Sequence, residues 1–134
     1  MFLGEYRHTL DDRGRVSLPK KMRIVLEGER LILTRGFEQC ILGYRRDDWE
    51  RDATKEMQAS AITDPAGRAM RRYMFSGAEE VEVDRVGRIL LSGQLKTYAG
   101  ISEQVVIIGA GDHFEIWDEK SWNEYLTNLK YPRA

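Results

Sequence analysis

One short pattern, Asp-x-x-Gly-Arg followed by apolar residues, occurs twice in this chain, at residues 11–15 and again at 84–88. The copies stand 73 positions apart, and the same offset carries Gly36 onto Gly109, Tyr44 onto Trp117 and Trp49 onto Trp122. An offset shared by so many landmarks argues for a duplicated unit, and each unit must bury its apolar face against something. Stacked arrays need about three copies to be stable, whereas two copies of half-domain size bury their faces against each other. The expectation is one pseudo-twofold domain over residues 1–134: a first repeat at 5–50, a helical linker at 51–77, a second repeat at 78–123, and a C-terminal helix and tail at 119–134.

Composition supports a globular reading. A hydrophobic fraction of 42% and a charged fraction of 32% give enough apolar matter for a core and a heavily charged surface. No apolar run approaches the ~20 residues that span a bilayer, and Gly4 and Glu5 interrupt the start before any signal-peptide core forms, so a cytosolic chain is expected. Cys40 is the single cysteine, which rules out an intrachain disulfide. The net charge of -1 argues against nucleic acid until its distribution is considered. Arg13, Arg15, Lys20, Lys21 and Arg23 fall in one stretch without an acid, whereas 112–124 holds Asp112, Glu115, Asp118, Glu119 and Glu124 against Lys120. Segregated charge of this kind focuses a positive field on one face.

Each repeat reads as strand, strand, helix, strand, strand. Tyr6, His8 and Leu10 share one side of a first strand, as do Val81 and Val83 in the second copy. The glycines of the motif, Gly14 and Gly87, suit a hairpin position with positive φ, and Asp11 and Asp84 accept backbone N–H bonds within the turn. Strands at 15–18 and 88–91 follow, then Pro19 as a first helical residue and Ser92 as a cap, with short helices ending near Gly28 and Gly100. Strands at 31–34 and 104–108 come next, each followed by a glycine-containing turn and a strand ending at Tyr44 or Trp117. Asp47 or Asp48 is expected to cap a helix with Trp49, Ala53, Met57 and Ala61 on one face; Asp64-Pro65 starts another through Tyr73, ended by Ser76-Gly77. A last helix after Asp118 aligns Trp122, Leu126 and Leu129, and the tail from Tyr131 is expected to fray.

The acid–base pairs Asp11–Arg15 and Asp84–Arg88 have two readings. They pin a turn as structural ion pairs, or the arginines bind phosphate and bases; a turn needs its Asp and Gly but has no evident need for Arg. Gly93 and Gln94 stand where the first copy has Lys20 and Lys21, and Glu79, Glu80 and Glu82 precede Asp84, so the first copy is expected to carry more of any DNA affinity. Arg85 and Arg88 remain as second-copy contributors. Catalytic candidates are few: His8, His113 and Cys40, of which Cys40 and His113 occupy equivalent positions and suit ordinary packing as well as a pair across the axis. No His or Cys cluster has metal-ligand spacing, and Gly109-Ala110-Gly111 lacks the rest of a dinucleotide fingerprint. Tyr44, Trp49, Trp117, Trp122 and Tyr125 are read as packing residues ahead of a base-stacking platform. The expectation is a protein that is not an enzyme and holds no cofactor or metal.

The opening stretch, residues 1–23, together with the second Asp-x-x-Gly-Arg, the helical linker and the Phe114-Glu115-Ile116-Trp117-Asp118 segment, resembles the MraZ family along essentially the whole chain. That resemblance implies an α+β fold, a duplicated AbrB-like small β-barrel of the double-psi or swapped-hairpin type with helices. It also implies a transcriptional regulator, typically a repressor, that binds tandem promoter boxes upstream of the bacterial division and cell-wall gene cluster. Members form closed homo-oligomeric rings, often octameric, so a cytoplasmic, nucleoid-associated protein without a membrane partner is expected. The family motif falls on Asp11, Arg15, Asp84 and Arg88; Ser92, Gly93 and Gln94 depart from it. The expected DNA-binding residues are Arg13, Arg15, Lys20, Lys21, Arg23, Arg85 and Arg88, with Asp11, Gly14, Asp84 and Gly87 building the turns. One basic loop binds weakly and loses affinity with salt at a log-log slope of about -0.9 per neutralised phosphate, while a ring presenting several loops multiplies affinity by ~10² or more. The competing reading is a ring-forming scaffold whose basic loop binds an acidic protein or a membrane.

Overall fold

The computed structural model describes residues 1–28 and 30–129; the tail expected to fray from Tyr131 lies outside them. The first half runs β1 (Glu5–Thr9), β2 (Arg15–Ser17), α1 (Lys20–Leu26), β3 (Leu31–Arg35) and β4 (Ile41–Arg45). Helices α2 (Arg46–Ala59) and α3 (Pro65–Ser76) follow. The second half repeats the order with β5 (Glu79–Val81), β6 (Arg88–Leu90), α4 (Gly93–Ala99), β7 (Gln104–Gly109), β8 (Phe114–Asp118) and α5 (Glu119–Asn128).

Strand pairing joins the halves rather than keeping them apart. The main sheet has the order β1-β7-β8-β4-β3-β5, so each half lends its first strand to the other half's third: β1 to β7, and β5 to β3. Strands β4 and β8 meet at the centre, where Ile41 faces Ile116 and Gly43 faces Phe114. A separate two-stranded ribbon pairs β2 with β6 about Val16 and Ile89. The expected small barrel does not close. Strands β2 and β6 are three residues each and pair only with one another, which leaves β1 and β5 as the edges of an open antiparallel sheet. The fold is therefore α+β with two antiparallel sheets.

Register corrects one landmark. Leu31 faces Arg45 in β3–β4 and Val105 faces Asp118 in β7–β8, so β7 answers β3 at an offset of 74, one more than elsewhere. The turn beginning with Gly36, whose N–H donates to the Cys40 carbonyl, thus corresponds to the one in which Ala110 donates to His113. The match of Gly36 with Gly109 in the sequence is a coincidence of spacing.

Alternation along the sheet divides the buried residues between its faces. Leu31, Leu33, Val105, Ile107, Phe114 and Ile116 face a core shared with Val16, Leu18, Met22, Leu26, Ile89, Leu91 and Leu95 from the ribbon, α1 and α4. Each such aliphatic side chain contributes about 1.5–3 kcal/mol when fully buried. Phe2 and Phe114 meet edge-to-face at 5.3 Å in this core. On the opposite face, Cys40, Val106, Trp117 and Trp122 form a second cluster.

Helix ends follow local chemistry. Ser92 accepts the Leu95 N–H at 3.2 Å and caps α4. Pro19 is the residue before α1 rather than its first helical residue, its missing N–H costing nothing there. The α2 cap is Arg45, with Asp47 and Asp48 in the first turn, where they favour the positive helix end without capping by side chain. That helix stops at Ala59, before Ala61, and Asp64 starts α3 by accepting the Ala66 N–H. Leu129 ends α5, and Leu126 is 41% exposed, so Trp122, with Tyr125 packed on Trp117 at 4.9 Å, anchors the helix into its cluster.

Candidate nucleic-acid interface

The two Asp-x-x-Gly-Arg segments fold identically. Asp11 Oδ1 accepts the N–H groups of Arg13 at 3.0 Å and Arg15 at 2.8 Å, while its Oδ2 accepts Arg15 Nε at 2.7 Å. Asp84 does the same with Val86 at 3.0 Å, Arg88 at 2.8 Å and Arg88 Nε at 2.9 Å. Gly14 and Gly87 take φ of 81° and 87°, conformations that cost a residue with a Cβ about 1–2 kcal/mol. The Arg15 N–H, then the Arg15 side chain and the Arg13 N–H, hold the Asp11 carboxyl below its ordinary pKa, and Arg88 and Val86 do so for Asp84. Each arginine is thus a structural member of its turn, as the structural reading of the pair has it, and also a surface cation.

The turns also lock onto each other. Leu18 N–H donates to the Gly87 carbonyl at 2.9 Å, and Leu91 N–H to the Gly14 carbonyl at 3.0 Å. Arg88 Nη1 reaches to 4.0 Å from Asp11 Oδ2. In the ribbon, Arg15 pairs with Leu90 and Ser17 with Arg88, all four on the outward face because Val16 and Ile89 turn inward. The structure therefore brings Arg15 and Arg88 onto one small surface.

Each turn is completed by a cation from the other half. Arg23 of α1 lies against Gly87, its Nη1 2.4 Å from where a Cβ would stand, and Lys96 of α4 lies against Gly14 with Nζ 2.9 Å from the same point. The missing side chain serves twice: it permits positive φ and it seats the cation flat on the turn. Arg23 and Lys96 are related by the same 73 positions. Lys96 stands as far beyond the second motif as Arg23 does beyond the first, and that equivalence is its signal in the sequence.

These contacts redistribute the basic stretch. Lys20 and Lys21 are exposed at the start of α1, just beyond the Leu18 contact with Gly87, and Arg23 of the same helix lies against the second turn. Arg23, adjacent in sequence to the first copy's basic residues, is thereby brought to the second turn. Arg13 and Arg15 keep the first turn basic and Lys96 joins them. Acids ahead of the second turn are engaged elsewhere: Glu79 accepts Ser92 Oγ at 2.7 Å, and Glu80 lies 3.6 Å from Arg30 and 3.5 Å from Arg46. Glu82 lies 3.8 Å from Arg30. Exposed pairs like these stabilise by only about 0–1 kcal/mol, yet they offset negative charge beside Arg85 and Arg88.

A family model described as "MraZ protein, putative antitoxin-like" matches residues 1–72 and 74–133. The chain belongs to the MraZ family. Among curated MraZ relatives, one from Roseiflexus castenholzii is 40% identical over 129 residues, covering 96% of this chain and 89% of the relative. Another, from Acetivibrio thermocellus, is 43% identical over 125 residues, covering 93% and 86%. Both relatives carry the name Transcriptional regulator MraZ.

Other candidate residues of this MraZ chain take packing roles. Cys40 is fully buried, and burial, ahead of the nearby Glu115 and Glu38 charges, pushes its thiol pKa up, the reverse of what a nucleophile needs. His113 instead stacks on Tyr44 at 4.9 Å, its ring nitrogens 2.8 Å from Asp112 and 3.0 Å from Glu115. Burial works against the charged ring, but the hydrogen bonds to Glu115 and Asp112 outweigh it and raise the His113 pKa. Trp117 and Trp122 are buried and meet at 5.3 Å, with Tyr125 stacked on Trp122 at 5.9 Å, and Trp49 packs on Phe75. Among the described residues no His, Cys, Asp and Glu cluster is placed to hold a metal, and no helix is long and apolar enough to cross a membrane.

Proposed function

We propose that the chain is a sequence-specific DNA-binding transcriptional regulator whose β2–β6 ribbon and its two turns enter the major groove, which is wide enough for a two-stranded ribbon. The observation that carries this reading is the outward ribbon face, where Arg15 and Arg88 stand together with Arg13, Arg85, Arg23 and Lys96 around them. Arg15 and Arg88 are pre-oriented by Asp11 and Asp84, which spend Nε of each guanidinium and leave its other end to reach guanine O6 and N7. Arg13, Arg85, Arg23, Lys96, Lys20 and Lys21 hold phosphate. The names of the relatives support a role in transcription.

The finer reading follows from the same repeat and from the family. The chain is a duplicated AbrB-like unit, with repeats at 5–50 and 78–123 and a linker at 51–77; the exchange of β1 and β5 between halves supports it. It represses the division and cell-wall gene cluster from tandem promoter boxes in the cytoplasm, on the nucleoid, as a homo-oligomeric ring, octameric on the family pattern. One ribbon makes few contacts, and a ring aligned on tandem boxes converts later contacts into intramolecular ones. The test is a titration of a labelled promoter fragment with tandem boxes beside single-box and scrambled duplexes, at two salt concentrations. Strong preference for tandem boxes, lost with Arg15→Ala, is the expected result. Equal binding to scrambled duplex, or none, overturns it and leaves the scaffold reading.

A further inference from the structure

The outward face of the ribbon is not symmetric, and its asymmetry has chemical meaning. The 73-residue offset that carries Arg15 onto Arg88 carries Ser17 onto Leu90. Since Arg15 pairs with Leu90 and Ser17 with Arg88, one end presents arginine beside an aliphatic side chain and the other presents arginine beside a hydroxyl. Leu90 is 54% exposed, while its chain neighbours Ile89 and Leu91 are 1% and 2% exposed. Strand alternation, set by the ribbon register, holds it outward. A leucine there leaves unused much of the stabilisation that burial of its side chain would contribute. Its surroundings hold Arg15 opposite and Arg13 and Lys96 at the adjoining turn against Asp11, which Arg15 engages, and the exposed Asp12, a positive balance that disfavours an apolar protein surface as the cover and favours a polyanion.

Within a duplex, the apolar feature available to a side chain in the major groove is the C5-methyl group of thymine. Resting on the DNA-binding reading above, we propose that Leu90 is a specificity residue that packs on a thymine methyl next to the base edge reached by Arg15. Ser17, which pairs with Arg88 at the other end, offers a hydroxyl that bonds several base edges and gains nothing from a methyl group. The two arginines consequently read different neighbours, although their turns are built alike.

The experiment uses the full chain. Duplexes are selected from a randomised pool, and each thymine of the preferred duplex is replaced in turn by deoxyuridine, which pairs in the same way but lacks the methyl group. At one position the replacement weakens wild-type binding by about fourfold, the worth of one buried methyl group. Leu90→Ala binds the two duplexes equally, Leu90→Met keeps the discrimination, and Ser17→Ala leaves it unchanged. Wild-type indifference to every replacement overturns the assignment, as does full discrimination by Leu90→Ala. A Leu90→Ala protein with altered subunit assembly and unaltered methyl discrimination makes Leu90 a contact between copies, which also overturns it. If no duplex is enriched, the DNA-binding reading itself falls; enrichment without methyl dependence removes only the role of Leu90.

Discussion

The turn at residues 11–15 and the turn at 84–88 share every hydrogen bond of their frame and differ in almost everything that surrounds it. The first carries Arg13 at its tip where the second carries Val86, and the strand positions beyond them hold Ser17 and Leu90. The first is closed by Lys96 and the second by Arg23, each from the opposite half. The comparison separates two roles that the motif combines. Asp, Gly and the arginine Nε fix the turn, so both copies must keep them. On the proposed DNA-binding reading, the charge that draws a duplex is delivered by neighbours in space, so it is free to drift between halves provided the assembled face stays positive.

The largest effect that probes this comparison is loss of either turn arginine. Arg15→Ala and Arg88→Ala are each expected to weaken DNA binding by about ten- to a hundredfold, the range of one lost bidentate base contact, and to lie within a few-fold of each other in filter-binding titrations. A loss confined to Arg15→Ala would restore the sequence-based ranking of the halves. Next come the glycines: Gly14→Ala and Gly87→Ala each destabilise the fold by about 1–2 kcal/mol in denaturant melts. Gly87→Ala costs more DNA affinity, because the planar Arg23 guanidinium cannot clear a Cβ whereas the Lys96 terminus can swing aside. Smaller still is Lys96→Ala, which lowers the log-log salt slope by about 0.9 per affected turn while leaving base preference intact.

The smallest predicted effect concerns the equivalent positions Cys40 and His113, where the halves also diverge. A histidine whose folded pKa is raised contributes stability that is fully present below its unfolded value, about 6.5, and is lost as pH rises through the folded value. The stability gap between wild type and His113→Ala in thermal melts should therefore be wider at pH 5.5 than at pH 8.5. Cys40→Ala should show a gap that stays flat from pH 5.5 to about 7.5 and changes only near pH 8.5, where the unfolded thiol begins to ionise and the buried one does not. The depressed Asp11 and Asp84 work in the opposite sense, contributing above about pH 4 and losing their contribution as pH falls through their folded values.

Much of this was legible in the chain. The repeat, the turn role of Asp11, Gly14, Asp84 and Gly87, the Ser92 cap and the strand–strand–helix–strand–strand order all rest on local chemistry, which neighbouring residues determine. What sequence could not supply was long-range: that β1 and β5 change partners, that the barrel stays open, and that β7 slips by one residue. For the same reason sequence could not show that Arg23 lies against the second turn. Sequence places Lys20, Lys21 and Arg23 beside Arg15, but the ribbon crossing that joins Leu18 to Gly87 carries α1 to the other end. Lys96 went unseen because no local pattern marks a lone lysine in a short helix.

The central claim, that each turn is completed by the opposite half, is tested most directly by double-mutant cycles on DNA affinity with Arg23→Ala. Combined with Arg88→Ala it should show a coupling of about 0.5 kcal/mol or more, as for residues sharing one turn, and combined with Arg15→Ala it should be additive within about 0.3–0.5 kcal/mol. Coupling of Arg23 to Arg15, with additivity toward Arg88, would contradict the account.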